Sequence, residues 1–152
     1  MKHRRAASAL AIVLGFPFLS CAPNPPPQRV VVNLPRGAAA ALPFSDAIRV
    51  GHTLYVSGQL GIDFATMKVP TDPKEEARLL LENFKRVVGT AGMSMDDLVT
   101  VTVYCSDLSL YAAFNEVYRT YFTGNFPARA FIGSGPLLFG SHFEMQGIAV
   151  KP

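Results

Sequence analysis

The stretch "TDPKEEARLLLENFKRVVGTAGMSMDDLVTVTVYC", Thr71 to Cys105, changes its apolar period midway. In its first part Ala77, Leu80, Leu81, Phe84 and Val88 recur at helical spacing and form one apolar face. Asp72 is placed to cap that helix, Pro73 suits its first turn, and Glu75 and Glu76 favour its positive end. Gly89 or Gly92 can close it. From Leu98 the pattern alternates with period two and predicts a half-buried strand. Cys105 shares the parity of Val99, Val101 and Val103 and reads as a small buried hydrophobe. A one-faced helix followed by a one-faced strand predicts helices layered on a sheet.

The flanking sequence extends that pattern. "SLYAAFNEVYRTYF", Ser109 to Phe122, predicts a second helix with Leu110, Phe114, Val117, Tyr118 and Tyr121 on one face. Ala47 to Val50 and Leu54 to Ser57 predict two strands around a Gly51-His52 hairpin, interrupted after Ser57 by Gly58 and Gly61. A short strand is expected around Asp63 to Val69, another over Arg129 to Ile132, and a last one in "HFEMQGIAV". The order is ββ(β)αβαββ, an α+β layer. Its last strand carries apolar residues on both parities, Phe143 and Ala149 beside Ile148 and Val150. The second face of the sheet therefore needs a cover that this small chain lacks, and oligomerisation supplies one.

The chain has 152 residues, 49% hydrophobic and 16% charged, enough for one domain with a core. Three of its fourteen basic residues, Lys2, Arg4 and Arg5, lie at the extreme N-terminus, leaving eleven against eleven acidic residues. Without that segment the protein is near neutral and has no basic stripe for nucleic acid. "MKHRR" followed by "AASALAIVLGF" reads as a secretory signal, its apolar run too short to span a bilayer. "FLSC" resembles a bacterial lipoprotein signal, with Cys21 as the lipidated first residue and Phe18 as its departure from the pattern. The alternative cut, after Ala22, would leave Pro23 just past it. The expected organisation is a leader over 1–21, a Pro/Ala-rich spacer over 22–40 and a folded domain over 41–152. Within the spacer, Val30 to Leu34 could add an edge strand. Localisation follows as exported: periplasmic, or membrane-tethered through Cys21.

No phosphate-binding, nucleophile-elbow or dinucleotide motif is present, and His3, His52 and His142 lack metal-ligand spacing. No metal and no cofactor are expected. What stands out is polar residues inside apolar elements: Ser57, Asn115, Arg129 and Glu144. Arg129 is the one charge in "NFPARAFIGSGPLLFG". An isolated buried charge is costly, so it must meet a carboxylate from the fold or an anion from outside. On the residues alone, a buried Arg129–Glu144 ion pair is the expectation.

The pieces "ALPFSDAIRVGHTLYVSGQLGID", "AGMSMDDLVTVTVYCSDL", "FNEVYRTYF", "FPARAF" and "EMQGIAV" resemble the RidA/YjgF family of imine deaminases, in order and with matching gaps. The resemblance implies a chorismate-mutase-like single domain with a mixed sheet, assembled as a homotrimer with ligand clefts between subunits. It implies hydrolysis of 2-iminobutanoate, 2-iminopropanoate and their enamine tautomers to 2-keto acids and ammonia. The catalytic arginine falls on Arg129, the water-activating glutamate on Glu144, and substrate-binding positions on Phe44, Ser57, Asn115 and Phe131. Three positions depart from the family: Phe44 for a tyrosine, Phe131 for a cysteine, and Gly61 for a proline. Phe131 is expected to narrow or reshape the cleft. The alternative is a non-catalytic trimer of the same fold that binds small carboxylates.

Overall fold

A computed structural model describes residues 26–35 and 43–151. The leader over 1–21, with Cys21, lies outside the described residues. Eight main elements follow in order: β1 (Arg29–Val32), β2 (Ala47–Val50), β3 (Thr53–Leu60), α1 (Pro73–Thr90), β4 (Leu98–Cys105), α2 (Tyr111–Tyr118), β5 (Ala128–Gly133) and β6 (Phe143–Val150). The six strands form one sheet in the order β1-β2-β3-β6-β4-β5. Every neighbouring pair is antiparallel except β4 and β5, which α2 connects in parallel, so the sheet is mixed as expected.

Local sequence accounts for most of these elements. The Asp72 side chain accepts the Lys74 N–H at 3.1 Å and starts α1 one residue before Pro73. Gly92 takes φ +76° just past the end, where the Met93 N–H returns to the Val88 carbonyl. Leu80, Leu81, Phe84, Val87 and Val88 of α1 are fully buried against Leu54, Val103, Phe143, Met145 and Ala149 of the sheet. Phe114 brings α2 into the same core.

Four expectations need correction. The strand read as ending at Ser57 runs through Gly58 to Leu60, because a bulge between Val56 and Gln59 keeps β3 paired to β6. The strand sought over Asp63 to Val69 is one isolated bridge, Asp63 to Lys68. Val99 shares the parity of Val101 but not its face: a register shift between Leu98 and Thr100 buries Leu98 and turns Val99 out. The edge strand allowed for over Val30 to Leu34 does form, over Arg29–Val32 beside β2. The second helix is α-helical only over Tyr111–Tyr118, with a 3-10 turn on each side.

Both helices lie on one face of the sheet. On the other face no helix among the described residues covers Tyr55 and Ile132, both exposed, or the half-buried Tyr104 and Ile148. Among the described residues no helix is long and apolar enough to cross a membrane.

Candidate functional site

The polar residues singled out in the sequence gather in two places. The first lies on the edge strand β5. Arg129 pairs with Val101 of β4, and directly opposed residues in a sheet point to the same face. Val101 is buried in the core, so Arg129 faces the helices. Its Nη2 donates to Asn115 Oδ1 at 2.7 Å. Asn115 is presented by α2 beside the core anchor Phe114, and Tyr118 lies one turn further on. The Arg129 guanidinium sits 4.6 Å from the Tyr118 ring centroid and 5.5 Å from that of Phe131. Such stacking contributes about 0.5–2 kcal/mol to holding a cation. Nη1 is buried and has no hydrogen-bond partner among the described residues. An unmet buried donor costs about 1–3 kcal/mol, more when charged.

The Tyr118 hydroxyl is also buried without a partner. Burial pushes it up to about 12, against the opposing pull of Arg129. In the sequence Tyr118 read only as part of the helix's apolar face. Its place three residues after Asn115, on the same side of α2, is the signal that joins it to Arg129. Phe131 packs edge-on against Tyr111, centroids 4.9 Å apart, and against Phe114 at 5.5 Å. Part of its bulk is thus taken up by the core.

The second place is on the other face. Glu144 stands between Phe143 and Met145, both fully buried among the helices, so alternation turns it away from them. It accepts no hydrogen bond among the described residues, and burial pushes its carboxyl above the usual range. It fits there because position 58 is glycine: a β carbon on Gly58 would meet Glu144 Oε1. Ser57 stands opposite Asp46, just ahead of the start of β2. Its hydroxyl donates to the Asp46 carbonyl at 2.9 Å and accepts from Gln59 Nε2 at 3.3 Å. With its proton committed, Ser57 offers a lone pair to what lies beyond. A groove of about 390 Å³ opens here, lined by Arg29, Phe44, Ile48, Tyr55 and Ser57 among others.

The expected Arg129–Glu144 ion pair does not form. Their strands are separated by β4, where Arg129 is level with Val101 and Glu144 with Tyr104. Two strand spacings and three residues of rise place the backbones about 14 Å apart, and the side chains leave opposite faces. Asn115, Phe131 and Arg129 are brought together; Phe44 and Ser57 line the groove on the other face, and Glu144 lies beside Gly58. Among the described residues no cluster of His, Cys, Asp or Glu could hold a metal ion. Cys105 is buried as expected, its thiol donating to the Asp107 carbonyl at 3.0 Å and pushed up by burial.

Known proteins resemble this chain over most of its length. The sequence model described as Endoribonuclease L-PSP matches residues 36–151. The mouse protein named 2-iminobutanoate/2-iminopropanoate deaminase is 37% identical over 124 residues, covering 81% of this chain and 92% of its own. The human protein of that name is 34% identical over 124 residues, covering 81% and 90%. Among solved structures, RidA from an Antarctic Psychrobacter superposes with a TM-score of 0.74 at 34% identity, covering 80% of this chain and 99% of that one. Escherichia coli TdcF with bound serine superposes with a TM-score of 0.75 at 31% identity, covering 81% and 99%.

Proposed function

The chain belongs to the endoribonuclease L-PSP family, the RidA/YjgF proteins, and from that premise we propose that it is an imine deaminase whose site is completed between copies of the chain. The observation that carries this reading is the split described above. A guanidinium nitrogen is buried without a partner on one face, and an unpartnered carboxyl lies on the other. No small molecule reaches both within one chain. A head-to-tail contact that closes into a ring brings the Arg129 side of one copy to the Glu144 side of the next, and the family resemblance sets the ring at three. The uncovered face with Tyr55 and Ile132 supports the same assembly.

The chemistry follows from the groups. The Arg129 guanidinium takes the carboxylate of a 2-imino acid, and Nη1 gains the acceptor it lacks. Asn115 and the Tyr118 ring fix its plane. Ser57, with a free lone pair, accepts the imine N–H. The imine carbon is already electrophilic, so attack requires only a placed water. Glu144 accepts the proton as water adds to C2, and its raised pKa suits it to act as a base nearer neutrality. Glu144 passes that proton to the nitrogen to give the carbinolamine; the carbinolamine hydroxyl proton then moves to nitrogen as the C–N bond breaks, ammonia leaves, and a 2-keto acid remains. Water is consumed and no redox change occurs. Phe44, Tyr55 and Phe131 make the surroundings apolar, which suits short aliphatic side chains such as those of 2-iminobutanoate and 2-iminopropanoate.

The leader supports export of this enzyme to the periplasm, with Cys21 as a lipid tether. Palmitate labelling of the full chain and of Cys21→Ser tests that part; an unlabelled wild type removes the tether. For the activity, 2-iminopropanoate is generated in situ and its loss followed with and without protein. Accelerated loss that Arg129→Ala abolishes is expected. Keto acid binding without acceleration would favour the non-catalytic carboxylate-binding trimer instead.

A further inference from the structure

In the sequence Glu76 reads as one of two acidic residues at the positive end of α1. The structure gives it another surrounding. Glu75 is exposed and pairs with Arg78, whereas Glu76 is fully buried. Its carboxylate leaves the helix and reaches the head of β6, 66 residues away in the chain. Oε1 accepts two backbone N–H groups, from His142 at 2.6 Å and from Phe143 at 3.0 Å. Oε2 accepts from His142 Nδ1 at 2.7 Å. The next residue is Glu144.

The chain makes room for this contact. A β carbon on Gly61 would stand 2.3 Å from the Glu76 carbonyl oxygen and 2.6 Å from its Cγ. No L side chain fits there without moving the helix. Gly58, three residues earlier, gives way to Glu144 in the same manner. One segment at the end of β3 thus admits two carboxylates, one from the core side and one from the cleft side. Glu76 holds the strand head from within, and the strand head carries the cleft carboxylate.

We propose that Glu76 is a positioning residue for the reaction: by capping the His142 and Phe143 N–H groups it sets where the Glu144 carboxylate meets the attacking water. The proposal rests on the deaminase reading above and extends it to a residue that touches no substrate. A helix-capping or merely stabilising role would affect the site as a whole. A positioning role affects one half, because the substrate carboxylate is held on Arg129, on β5 of another copy. Loss of Glu76's reach should therefore lower kcat and leave keto acid binding alone.

The test uses Glu76→Asp and Glu76→Gln in the trimer, with kcat on 2-iminobutanoate generated in situ and the Kd of 2-ketobutanoate. Aspartate is one methylene shorter and cannot reach both N–H groups. A displacement of this order lowers turnover by roughly tenfold or more, with Kd within about twofold of wild type by the separation of the two halves. Glutamine keeps the Oε1 acceptor and is expected to retain kcat within about threefold. If Glu76→Asp does not fold, His142→Ala removes one of the three anchors and should lower kcat at unchanged Kd. Wild-type turnover in Glu76→Asp, or in His142→Ala if the aspartate variant does not fold, or parallel loss of kcat and binding in that variant, overturns the proposal. A wild-type trimer that neither hydrolyses the imine nor binds the keto acid overturns the deaminase reading, and this proposal with it. A working wild type beside an unimpaired Glu76→Asp overturns this proposal alone.

Discussion

Glu144 occupies the space that a side chain at Gly58 would fill: a β carbon there would lie 1.9 Å from Glu144 Oε1 and 2.9 Å from its Cδ. The obstructing atoms belong to the end of a flexible side chain, so the fold can adjust while the carboxylate moves. Gly58→Ala is expected to leave the melting temperature near wild type and to lower kcat by about two orders of magnitude. Parallel thermal melts and imine-loss kinetics check both halves of the expectation. A contrast is Gly147, where a β carbon would meet the Thr100 carbonyl at 2.8 Å and the Val101 side chain at 2.9 Å in the core. Gly147→Ala should instead lose stability, by about 1–3 kcal/mol.

Asn115 is the one hydrogen-bonding partner of Arg129 among the described residues. Its replacement by leucine removes an acceptor from a charged donor, worth about 1.5–3 kcal/mol. If the guanidinium holds the substrate carboxylate as proposed, the loss should appear as a KM raised about tenfold or more, with kcat less affected. Steady-state kinetics on Asn115→Leu provide the measurement.

Burial raises the Glu144 carboxyl above its ordinary value. If Glu144 is the base as proposed, its ionised form is the active one, and kcat/KM should fall as pH drops through a midpoint above that of an ordinary glutamate. The same shift has an opposite consequence for stability. The fold favours the protonated carboxyl, so this group's contribution is greatest below the ordinary value and is lost as pH rises to the shifted one. Glu144→Gln should therefore be inactive yet at least as stable as wild type at neutral pH. A pH–rate profile and melts from pH 4 to 8 read both effects, the range being roughly that over which such groups titrate.

If each site draws Arg129 and Glu144 from different copies, two inactive variants can complement each other. Arg129→Ala and Glu144→Gln chains, unfolded together and reassembled as mixed trimers, should recover about a quarter of wild-type activity, since about a quarter of random contacts pair two intact halves. Either variant refolded alone should stay inactive. Absence of recovery despite mixed trimers would place both residues of a site in one chain.

The uncovered sheet face predicts a further dependence. Ile132→Glu puts a charge where a second copy is expected to seat. The variant should fold, as judged by circular dichroism, but sediment as a monomer and lose activity.

Much of this protein is written in local patterns. Asp72, Pro73 and the spacing of Ala77 to Val88 specify α1, and strict alternation specifies β4 from Thr100 on and β6. The departures arise where tertiary pairing overrides period. Val99 is displaced by the register shift against β6, and Gly58 is retained in β3 by the bulge beside Gln59. Arg129 was conspicuous as the one charge in an apolar run, but its stacking on Tyr118 was not, because an aromatic at a helical core position looks the same whether it packs on leucine or on a guanidinium.

By itself the sequence determined the α+β class, the family, and the residue types that can grip a carboxylate and activate a water, because periodicity and motif spacing are properties of neighbours along the chain. Only the tertiary structure decided that Arg129 and Glu144 leave opposite faces and do not pair, and that Glu76 crosses from α1 to hold the head of β6. Strand order and facing are set by which apolar surfaces pack together across the chain, and a buried charge settles where that packing leaves it donors or leaves it none.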